Sequence, residues 1–291
     1  MQEKAYAKIN LCLDVVGKRA DGYHDLNTVM QTVDLYDTLS FQIRESNEKR
    51  IHITSDQIDL PADESNLVYK AADLFMQWTG LCLDISIHID KNIPIAAGLG
   101  GGSSDAGCTL RVLNEFAGEP MDLPSLSARS KVIGADVPFA VYGGTALVSG
   151  IGEFVTPIYM KEDMWLVLVT PNISVSTKGV FKRFVPDHNP SQMKIDYVVK
   201  ALELGDASLL GQNLFNKLET VTVKDYPLIG AIKELLVHNG ALGSVMSGSG
   251  PSVFGLFKSS EEAQTVHKGV MERLGHTCRT FCIKTVKRSS V

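Results

Sequence analysis

The sequence predicts an α+β fold made of two domains. Its 291 residues are enough to bury two separate cores. Segments whose apolar residues alternate, as in strands, and segments with apolar residues at helical spacing follow one another along the chain. Polarity rises at residues 161–163, which read Lys-Glu-Asp. We therefore expect an N-terminal α/β domain over residues 1–160 and a C-terminal domain over residues 161–291.

The N-terminal half shows strand signals first. Apolar patterning predicts strands over residues 9–13, 33–43 and 51–53, with a turn at residues 20–22 after the first. A helix is predicted over residues 65–78 and ended by Gly80. Residues 83–90 alternate strictly between apolar and polar, so that strand should have one face in water.

A glycine-rich loop, PIAAGLGGGSSDAG, then leads into a helix. Ala106, Leu110, Leu113 and Ala117 recur at helical spacing, and Gly118 stands where a helix end would be capped. A short helical stretch, GADVPFAVYGG, and strands around residues 146–155 complete this half.

The second half has the order βαββαβ. The pattern predicts strand, helix, two strands, helix and strand at residues 165–169, 227–238, 243–246, 252–257, 261–274 and 278–286. Ser259 and Glu262 are spaced as a capping box before the second helix. This order is that of a ferredoxin-like split unit.

Composition and charge exclude several classes of protein. Hydrophobic residues make up 44% of the chain and charged residues 21%, which favours a globular protein over a disordered or fibrous one. The net charge is −5 and the basic residues are scattered, so we expect no nucleic-acid or membrane partner. A bound phosphate would need local geometry or a metal to hold it.

Cysteine usage and the N-terminus favour the cytoplasm. The five cysteines form no C-x-x-C pair, and the histidines beside them show no zinc-like spacing, so we expect reduced thiols. The chain starts without the charged and apolar regions of a signal peptide. Its longest apolar run, Met164 to Val169, is far too short to span a bilayer.

Three kinds of phosphate site can be compared for the loop GLGGGSSD. A Walker loop needs a lysine, and none lies between Lys91 and Arg111. A dinucleotide fingerprint would use Gly98 and Gly100 but has Ser103 in place of its third glycine. In a phosphate nest, backbone N–H groups of consecutive glycines, serine hydroxyls and the helix N-terminus would hold one anion. A glycine-rich turn that serves tight packing stays the alternative.

In the nest, Gly101 and Gly102 are expected to adopt positive φ or to let phosphate approach closely. Ser103 and Ser104 would add hydroxyl donors. Asp105 is either a helix-start residue or a group that helps to order a magnesium ion.

Three other features are candidates for the same site. Lys8 lies in an apolar strand start, AKINL, where a cation needs a partner unless it reaches solvent from a strand edge. Asp136 lies in GADVPF and is either functional or a helix-capping aspartate. The turn SGSGPS, Ser247 to Ser252, is a hairpin connection whose small residues also suit close backbone approach to a ligand.

Four motifs resemble those of the GHMP kinases, the superfamily of galactokinase, homoserine kinase and mevalonate kinase. They follow the family's order: AKINL at 7–11, PIAAGLGGGSSDAG at 94–107, GADVPF at 134–139 and GALGSVMSGSGPSVFGLF at 240–257. RADGYH at 19–24 is similar to members that act on a cytidine diphosphate ester in isoprenoid biosynthesis. Tyr6 stands where those members usually have proline, which leaves Lys8 and Asn10 in place.

The resemblance implies a GHMP kinase fold. An N-terminal nucleotide-binding domain would hold ATP with Mg²⁺, and the active site would lie between it and the ferredoxin-like C-terminal domain. Asp136 would take the proton from the substrate hydroxyl, Lys8 would be the cation that keeps it ionised, and Asn10 would position that hydroxyl. ATP would be held by the loop residues Pro94, Gly98, Leu99, Gly100, Gly101, Gly102, Ser103 and Ser104.

For the acceptor, the resemblance implies that Tyr23 and Phe181 stack on cytosine while His24 hydrogen-bonds the edge of the base. Three alternatives stay open at this point. They are another small-molecule kinase of the superfamily, of homoserine or mevalonate type, a ligand-binding relative without turnover, and a nicotinamide-dependent oxidoreductase.

Overall fold

The structure is a computed structural model that describes residues 1–186 and 191–288. In the N-terminal half it contains, in chain order, β1 (Gln2–Lys18), β2 (His24–Glu45), β3 (Arg50–Ser55), α1 (Leu67–Thr79), β4 (Leu83–Asp90), α2 (Gly101–Phe116), α3 (Leu123–Ser130), α4 (Val137–Tyr142), β5 (Thr145–Gly150) and β6 (Phe154–Pro157). In the C-terminal half it contains β7 (Trp165–Pro171), α5 (Thr177–Arg183), α6 (Gln192–Leu204), α7 (Ala207–Asn213), β8 (Phe215–Asn216), α8 (Glu219–Asp225), α9 (Pro227–His238), β9 (Gly243–Met246), β10 (Val253–Phe257), α10 (Ser260–Leu274) and β11 (Cys278–Lys284).

The first sheet is built on two long antiparallel strands, β1 and β2. Its order is β3-β4-β2-β1-β8, while β5 pairs with β2 and β6 with β5. The stretch predicted at residues 33–43 is part of β2, which is one continuous strand. The register of β1 and β2 shifts between Tyr6 and Lys8 and again between Asn10 and Cys12. These irregularities bend the strand on both sides of Lys8 and Asn10 and so aim their side chains.

Helices α1 and α2 cover one face of this sheet. The inward side chains of β4 (Leu83, Ile85, Ile87 and Ile89) are buried against the two helices, which confirms the predicted alternation. Helix α1 begins at Asn66, whose side chain accepts the Val68 N–H, and ends at Gly80 in a left-handed conformation. These caps explain why the predicted and observed ends of α1 differ by only one or two residues.

The second sheet confirms the ferredoxin-like prediction. Its order is β11-β7-β10-β9, and all of its pairs are antiparallel. The segment between β7 and β9 departs from the expected single helix, because helices α5 to α9 and strand β8 lie there in the described residues. Strand β8 belongs to the C-terminal half of the chain but pairs parallel with β1 in the first sheet. A boundary at residues 160 and 161, which stays a prediction, would therefore assign β8 to one domain and its strand partner to the other.

The two halves share a hydrophobic core, which fixes the cleft between them. Ile9 and Val33 of the first sheet belong to the same buried cluster as Leu166 of β7 and Ile195 of α6. Within residues 1–186 and 191–288, no helix combines the length and the apolar character that crossing a membrane requires.

Candidate active site

Lys8 is a nearly buried cation at the centre of the cleft. Its Nζ donates a hydrogen bond of 2.8 Å to Asn10 Oδ1 and lies 3.4 Å from Asp136 Oδ2. The exposed fraction of the side chain is 7% for Lys8 and 31% for Asp136. A charge this buried is costly without a partner, and both partners come from the motifs quoted above. The structure thus brings together the lysine and the aspartate that the sequence proposed as a pair.

Both the oxygen and the nitrogen of the Asn10 side-chain amide are hydrogen-bonded. Its Nδ2 donates to Thr28 Oγ1 at 2.9 Å, and that hydroxyl donates to the Cys12 carbonyl at 2.6 Å. The ammonium of Lys8 cannot accept a hydrogen bond, so Asn10 must point its oxygen towards Lys8. In this geometry, the Asn10 amide orients Lys8.

Asp136 stands at the first turn of α4 without capping it. It occupies the N-cap position, but its side chain makes no capping hydrogen bond. Its carboxylate is therefore free to face Lys8 from the partly exposed side of the cleft. This arrangement disfavours the alternative that Asp136 is only a helix-capping residue.

At two positions of the loop, neighbouring atoms approach the backbone so closely that glycine is required. Gly98 and Gly100 have φ of +76° and +68°. A Cβ on Gly98 would lie 2.3 Å from the Ser247 carbonyl oxygen, and a Cβ on Gly100 would lie 3.0 Å from Lys8 Cγ. The loop also holds β1 directly, because the Lys8 N–H donates to the Leu99 carbonyl at 3.0 Å.

The expectation of positive φ at Gly101 and Gly102 was wrong, because both residues lie in the first turn of α2 and are helical. A Cβ on Gly101 would meet Ile93 Cγ2 at 3.1 Å, and one on Gly102 would meet only Leu67 Cδ1, at 3.6 Å. Helix α2 starts at Gly100 with no side-chain cap. Its first N–H groups are therefore available to an anion.

The two loop serines differ. Ser104 is buried, and its hydroxyl donates to the Gly100 carbonyl at 3.0 Å, so it fastens the helix start. Ser103 is partly exposed, and a Cβ on Gly134 would lie 3.9 Å from its Oγ. Ser103 therefore faces the turn that carries Asp136. The other expected ATP-binding residues, Pro94 and Leu99, have buried side chains.

Asp105 points away from the loop's open side into a buried charge cluster. Its Oδ2 accepts from Lys91 Nζ at 2.8 Å, and the same ammonium is paired with Asp37. Asp37 Oδ1 accepts the N–H groups of Asn92 at 2.6 Å and Ile93 at 2.8 Å. Burial raises the pKa of Asp105 to about 7, and the Asp37 carboxylate adds to this while Lys91 opposes it. This placement favours neither interpretation of Asp105, because the residue lies beyond the first turn of α2 and its carboxylate is buried against Lys91.

Sequence reasoning missed Lys91 because it stands before the glycines and not among them. The dipeptide Asp90-Lys91, at the end of a buried strand and before a glycine loop, was the signal that could have found it.

The turn Ser247 to Ser252 packs against the loop. Ser247 Oγ donates to the Gly98 carbonyl at 2.9 Å and accepts the Asn10 N–H at 3.3 Å. The close approach suggested by its small residues is thus made to the backbone of Gly98. Through this turn, the C-terminal half contacts the glycine loop and β1.

Three aromatic side chains lie near the start of β2. The rings of His24 and Phe181 contact each other, with centroids 5.4 Å apart and planes inclined by 34°. Tyr23 is 60% exposed. Burial, followed by the charge of Lys18, lowers the pKa of His24, so its imidazole is neutral at pH 7. Phe181 also packs against the core of the C-terminal half.

Family models match both halves of the chain. The model described as "GHMP kinases N terminal domain" matches residues 66–144, and "GHMP kinases C terminal" matches residues 198–275. The first of these ranges holds the glycine loop and Asp136. The second holds the turn that packs against Gly98.

Individual relatives match almost the whole chain. A protein of Caldicellulosiruptor saccharolyticus named 4-diphosphocytidyl-2-C-methyl-D-erythritol kinase is 44% identical over 260 residues, which cover 89% of each chain. A crystal structure titled 4-(cytidine 5'-diphospho)-2C-methyl-D-erythritol kinase has a TM-score of 0.80 at 30% identity and covers 98% of this chain and 99% of its own. A homoserine kinase of Cytophaga hutchinsonii shares the fold, with a TM-score of 0.76 at 21% identity, 97% of this chain and 94% of its own. The chain belongs to the GHMP kinase family and is a small-molecule kinase of the branch that contains the 4-diphosphocytidyl-2-C-methyl-D-erythritol kinases.

Proposed function

We propose that the chain transfers the γ-phosphoryl group of ATP to the 2-hydroxyl of 4-diphosphocytidyl-2-C-methyl-D-erythritol, in non-mevalonate isoprenoid biosynthesis. Relatives with this substrate in their names, at identities of 44% and 46% over 89% and 90% of the chain, support the proposal. The homoserine kinase that shares the fold is only 21% identical and supports no claim about substrate.

The observation that carries the proposal is the pairing of Lys8 with Asp136 beside an uncapped helix N-terminus. Phosphoryl transfer asks a protein mainly for in-line positioning and charge neutralisation. Asp136 accepts the proton of the attacking hydroxyl, and the Lys8 ammonium 3.4 Å away offsets the charge that builds up on that oxygen. The first N–H groups of α2, with the Ser103 hydroxyl, bind phosphate oxygens. An intact pair of this kind also disfavours a relative without turnover.

Mg²⁺ belongs to the donor substrate. The described part of the chain holds no group of three His, Cys, Asp or Glu side chains that could form a metal site. An ion that arrives on the triphosphate needs no such group, because Mg²⁺ keeps several waters and needs few protein ligands beside phosphate. When bound, the ion would neutralise charge on the phosphates, which the first N–H groups of α2 and the Ser103 hydroxyl would hold.

The acceptor's cytosine lies at Tyr23, His24 and Phe181. The base stacks between Tyr23 and Phe181, and His24, whose ring contacts that of Phe181, lies at the edge of the base. A neutral His24 presents one donor and one acceptor to the base edge.

The proposed compartment is the cytoplasm. All five cysteines are free thiols in the structure, which suits a reducing environment.

A coupled assay of ADP release tests the function directly. The purified chain is given ATP with the cytidine diphosphate ester, and in parallel with homoserine, mevalonate and the uridine analogue. We expect the highest kcat/KM with the cytidine ester, a lower kcat/KM with the uridine analogue, and no turnover with homoserine or mevalonate. Comparable turnover with homoserine or mevalonate would replace the proposal with a sister kinase, and no turnover with any alcohol would support a non-catalytic relative.

A further inference from the structure

A short segment of the C-terminal half, residues 215–222, lies between β1 and the turn Ser247 to Ser252. We name it the brace segment. It begins as β8, whose two residues pair parallel with Cys12 and Leu13 of β1. The Lys217 N–H extends the pairing by donating to the Leu13 carbonyl at 3.0 Å. The brace segment is therefore attached to the strand that carries Lys8 and Asn10.

Asn216 connects the brace segment to the turn. Its Nδ2 donates to two carbonyls, that of Met246 at 2.8 Å and that of Gly248 at 2.7 Å, and its Oδ1 accepts the Leu218 N–H at 2.9 Å. The residue is only 5% exposed. A primary amide is the only small neutral side chain that offers two donors and one acceptor together. The residue type is thus determined by what it holds.

Two neighbours in the brace segment hold the same turn. Glu219 Oε1 accepts the Met246 N–H at 2.8 Å, and its other oxygen is paired with Lys233 at 2.5 Å. The Thr222 hydroxyl is shared between the Leu218 carbonyl at 3.2 Å and the Ser249 carbonyl at 3.3 Å. Side chains of the brace segment therefore contact Met246 at the end of β9 and Gly248 and Ser249 in the turn.

The turn lies against Gly98, Lys8 and Asn10, and so connects the brace segment with the proposed reacting groups. A Cβ on Gly248 would lie 3.2 Å from the Gly98 carbonyl oxygen and 3.6 Å from Lys8 Nζ. On the other side of the turn, Ser247 is bonded to Gly98 and Asn10. A shift of the turn would therefore move Asn10, whose amide oxygen holds the Lys8 ammonium, and the loop that leads into α2.

We propose that Asn216 is a positioning residue for phosphoryl transfer: through its bonds to Met246 at the end of β9 and to Gly248 in the turn Ser247 to Ser252, it fixes Lys8 and Gly98 relative to each other. The inference rests on the proposed function and deepens it. It assigns to a residue outside the four family motifs the alignment of the two halves of the site. Tyr23 and His24 of the nucleoside grip lie at the start of β2, and Phe181 lies on α5, whose first residue, Thr177, is bonded through its hydroxyl to Ser249 Oγ of the turn at 2.8 Å. Because that bond is four residues away from Phe181, loss of the Asn216 bonds should change KM for the nucleoside less than kcat.

The first test is a comparison of kcat with KM in Asn216→Asp. A carboxylate keeps the size of the side chain but loses both donors and opposes two carbonyl oxygens. Because a misplacement of about 1 Å can cost about 100-fold in rate, we expect kcat to fall about 10- to 100-fold while KM for the cytidine ester changes less than about twofold. Asn239→Ala is the matched control, since it removes an exposed amide that donates to the Leu235 carbonyl at 2.7 Å. It should leave kcat unchanged.

A milder variant keeps the test decisive if Asn216→Asp folds poorly. Thr222→Val preserves the shape of the side chain and removes its bond to Ser249, so it should show the same pattern with a smaller loss of kcat. A rise of KM in proportion to the loss of kcat, or a lower melting temperature with wild-type kcat, would show that the brace segment only stabilises the fold.

Hydrogen exchange separates failure of this inference from failure of the proposed function. Amide exchange of peptides covering residues 96–101 and 245–253 is measured in wild type and Asn216→Asp without any substrate. Faster exchange in both peptides, with wild-type exchange in α10, supports the brace even if the chain proves to use another alcohol. Wild-type exchange at residues 96–101 would overturn it, whatever the substrate.

Discussion

Replacing Gly98 with alanine tests how closely the two halves of the site approach each other. Alanine at φ of +76° pays the cost of the left-handed region, about 1–2 kcal/mol. In addition, its Cβ would lie 2.3 Å from the Ser247 carbonyl oxygen, whereas real Cβ contacts essentially never fall below 3.0 Å. That oxygen cannot turn aside freely, because it accepts the Gly250 N–H at 2.9 Å. The loop and the turn must therefore move apart.

We expect Gly98→Ala to lower the free energy of unfolding by more than about 2 kcal/mol, the left-handed strain and the clash together. In urea this corresponds to a midpoint lower by on the order of 1 M. The Kd for ATP should rise at least about tenfold, because the start of α2, whose N–H groups bind the phosphates, moves with the loop. Urea denaturation followed by fluorescence and calorimetric titration with ATP measure the two effects.

Gly269→Ala is the matched control for this substitution. Gly269 lies within α10, and a Cβ there would meet nothing within 4 Å. Glycine to alanine at an ordinary helical position stabilises a protein by about 0.4–1 kcal/mol, so this variant should unfold at slightly higher urea and bind ATP as wild type does. A Gly98→Ala protein with the wild-type midpoint and the wild-type Kd for ATP would refute the close approach.

Four further substitutions test single side chains. Asp136→Asn should fold normally and lose about 10²- to 10⁴-fold in kcat by ADP release, and near wild-type turnover would remove its role as the base. Phe181→Ala should raise KM about 5- to 150-fold for cytidine and uridine substrates alike through lost stacking, whereas His24→Ala should erode the preference for cytidine. Asp105→Asn should flatten the pH dependence of stability. Because the pKa of Asp105 is raised to about 7 in the folded chain, wild type loses stability as pH rises from 4 to 7. The melting temperature of the variant should therefore increase relative to that of wild type between pH 5 and pH 8. A constant difference between the two melting temperatures across that range would contradict the raised pKa of Asp105.

Local patterns predicted the elements that bury one regular face. The bounds of β4, α9 and β9 agree with the predicted residues 83–90, 227–238 and 243–246. In each case strict periodicity ends at a glycine, an asparagine or a charged residue, so the signal lies within the segment itself. The order of these elements was enough to predict the second sheet.

Strand β8 could not be predicted in the same way. It has two residues, too few for any periodicity, and it exists because β1 offers Cys12 and Leu13 as partners roughly two hundred positions earlier in the chain. Its functional consequence is also long-range, since Asn216 acts on a turn that follows it by some thirty residues. A lone asparagine in an unassigned segment carries no signal of such contacts.

The glycine run shows how the same residues can serve a purpose other than the expected one. The sequence contains no lysine inside the loop, and on that ground phosphate binding was assigned to backbone N–H groups, serine hydroxyls and the helix N-terminus. In the structure two lysines lie directly against the loop. Lys8 would be 3.0 Å from a Cβ on Gly100, and a Cβ on Gly101 would meet Ile93 Cγ2 at 3.1 Å and Lys91 Nζ at 3.4 Å. The absence of a side chain therefore makes room for Lys8 at Gly100, and for Ile93 and Lys91 at Gly101.

Both lysines are compensated before any ligand binds. Lys8 faces Asp136, and Lys91 is shared by Asp37 and Asp105. Because a paired ammonium attracts a distant anion only weakly, the pull on an incoming triphosphate comes chiefly from the uncapped start of α2. When Asp136 takes a proton from the attacking hydroxyl, its charge is cancelled and the charge of Lys8 is no longer compensated. In the proposed mechanism, the positive charge of Lys8 therefore acts most strongly during the transfer, when negative charge builds up on the attacking oxygen.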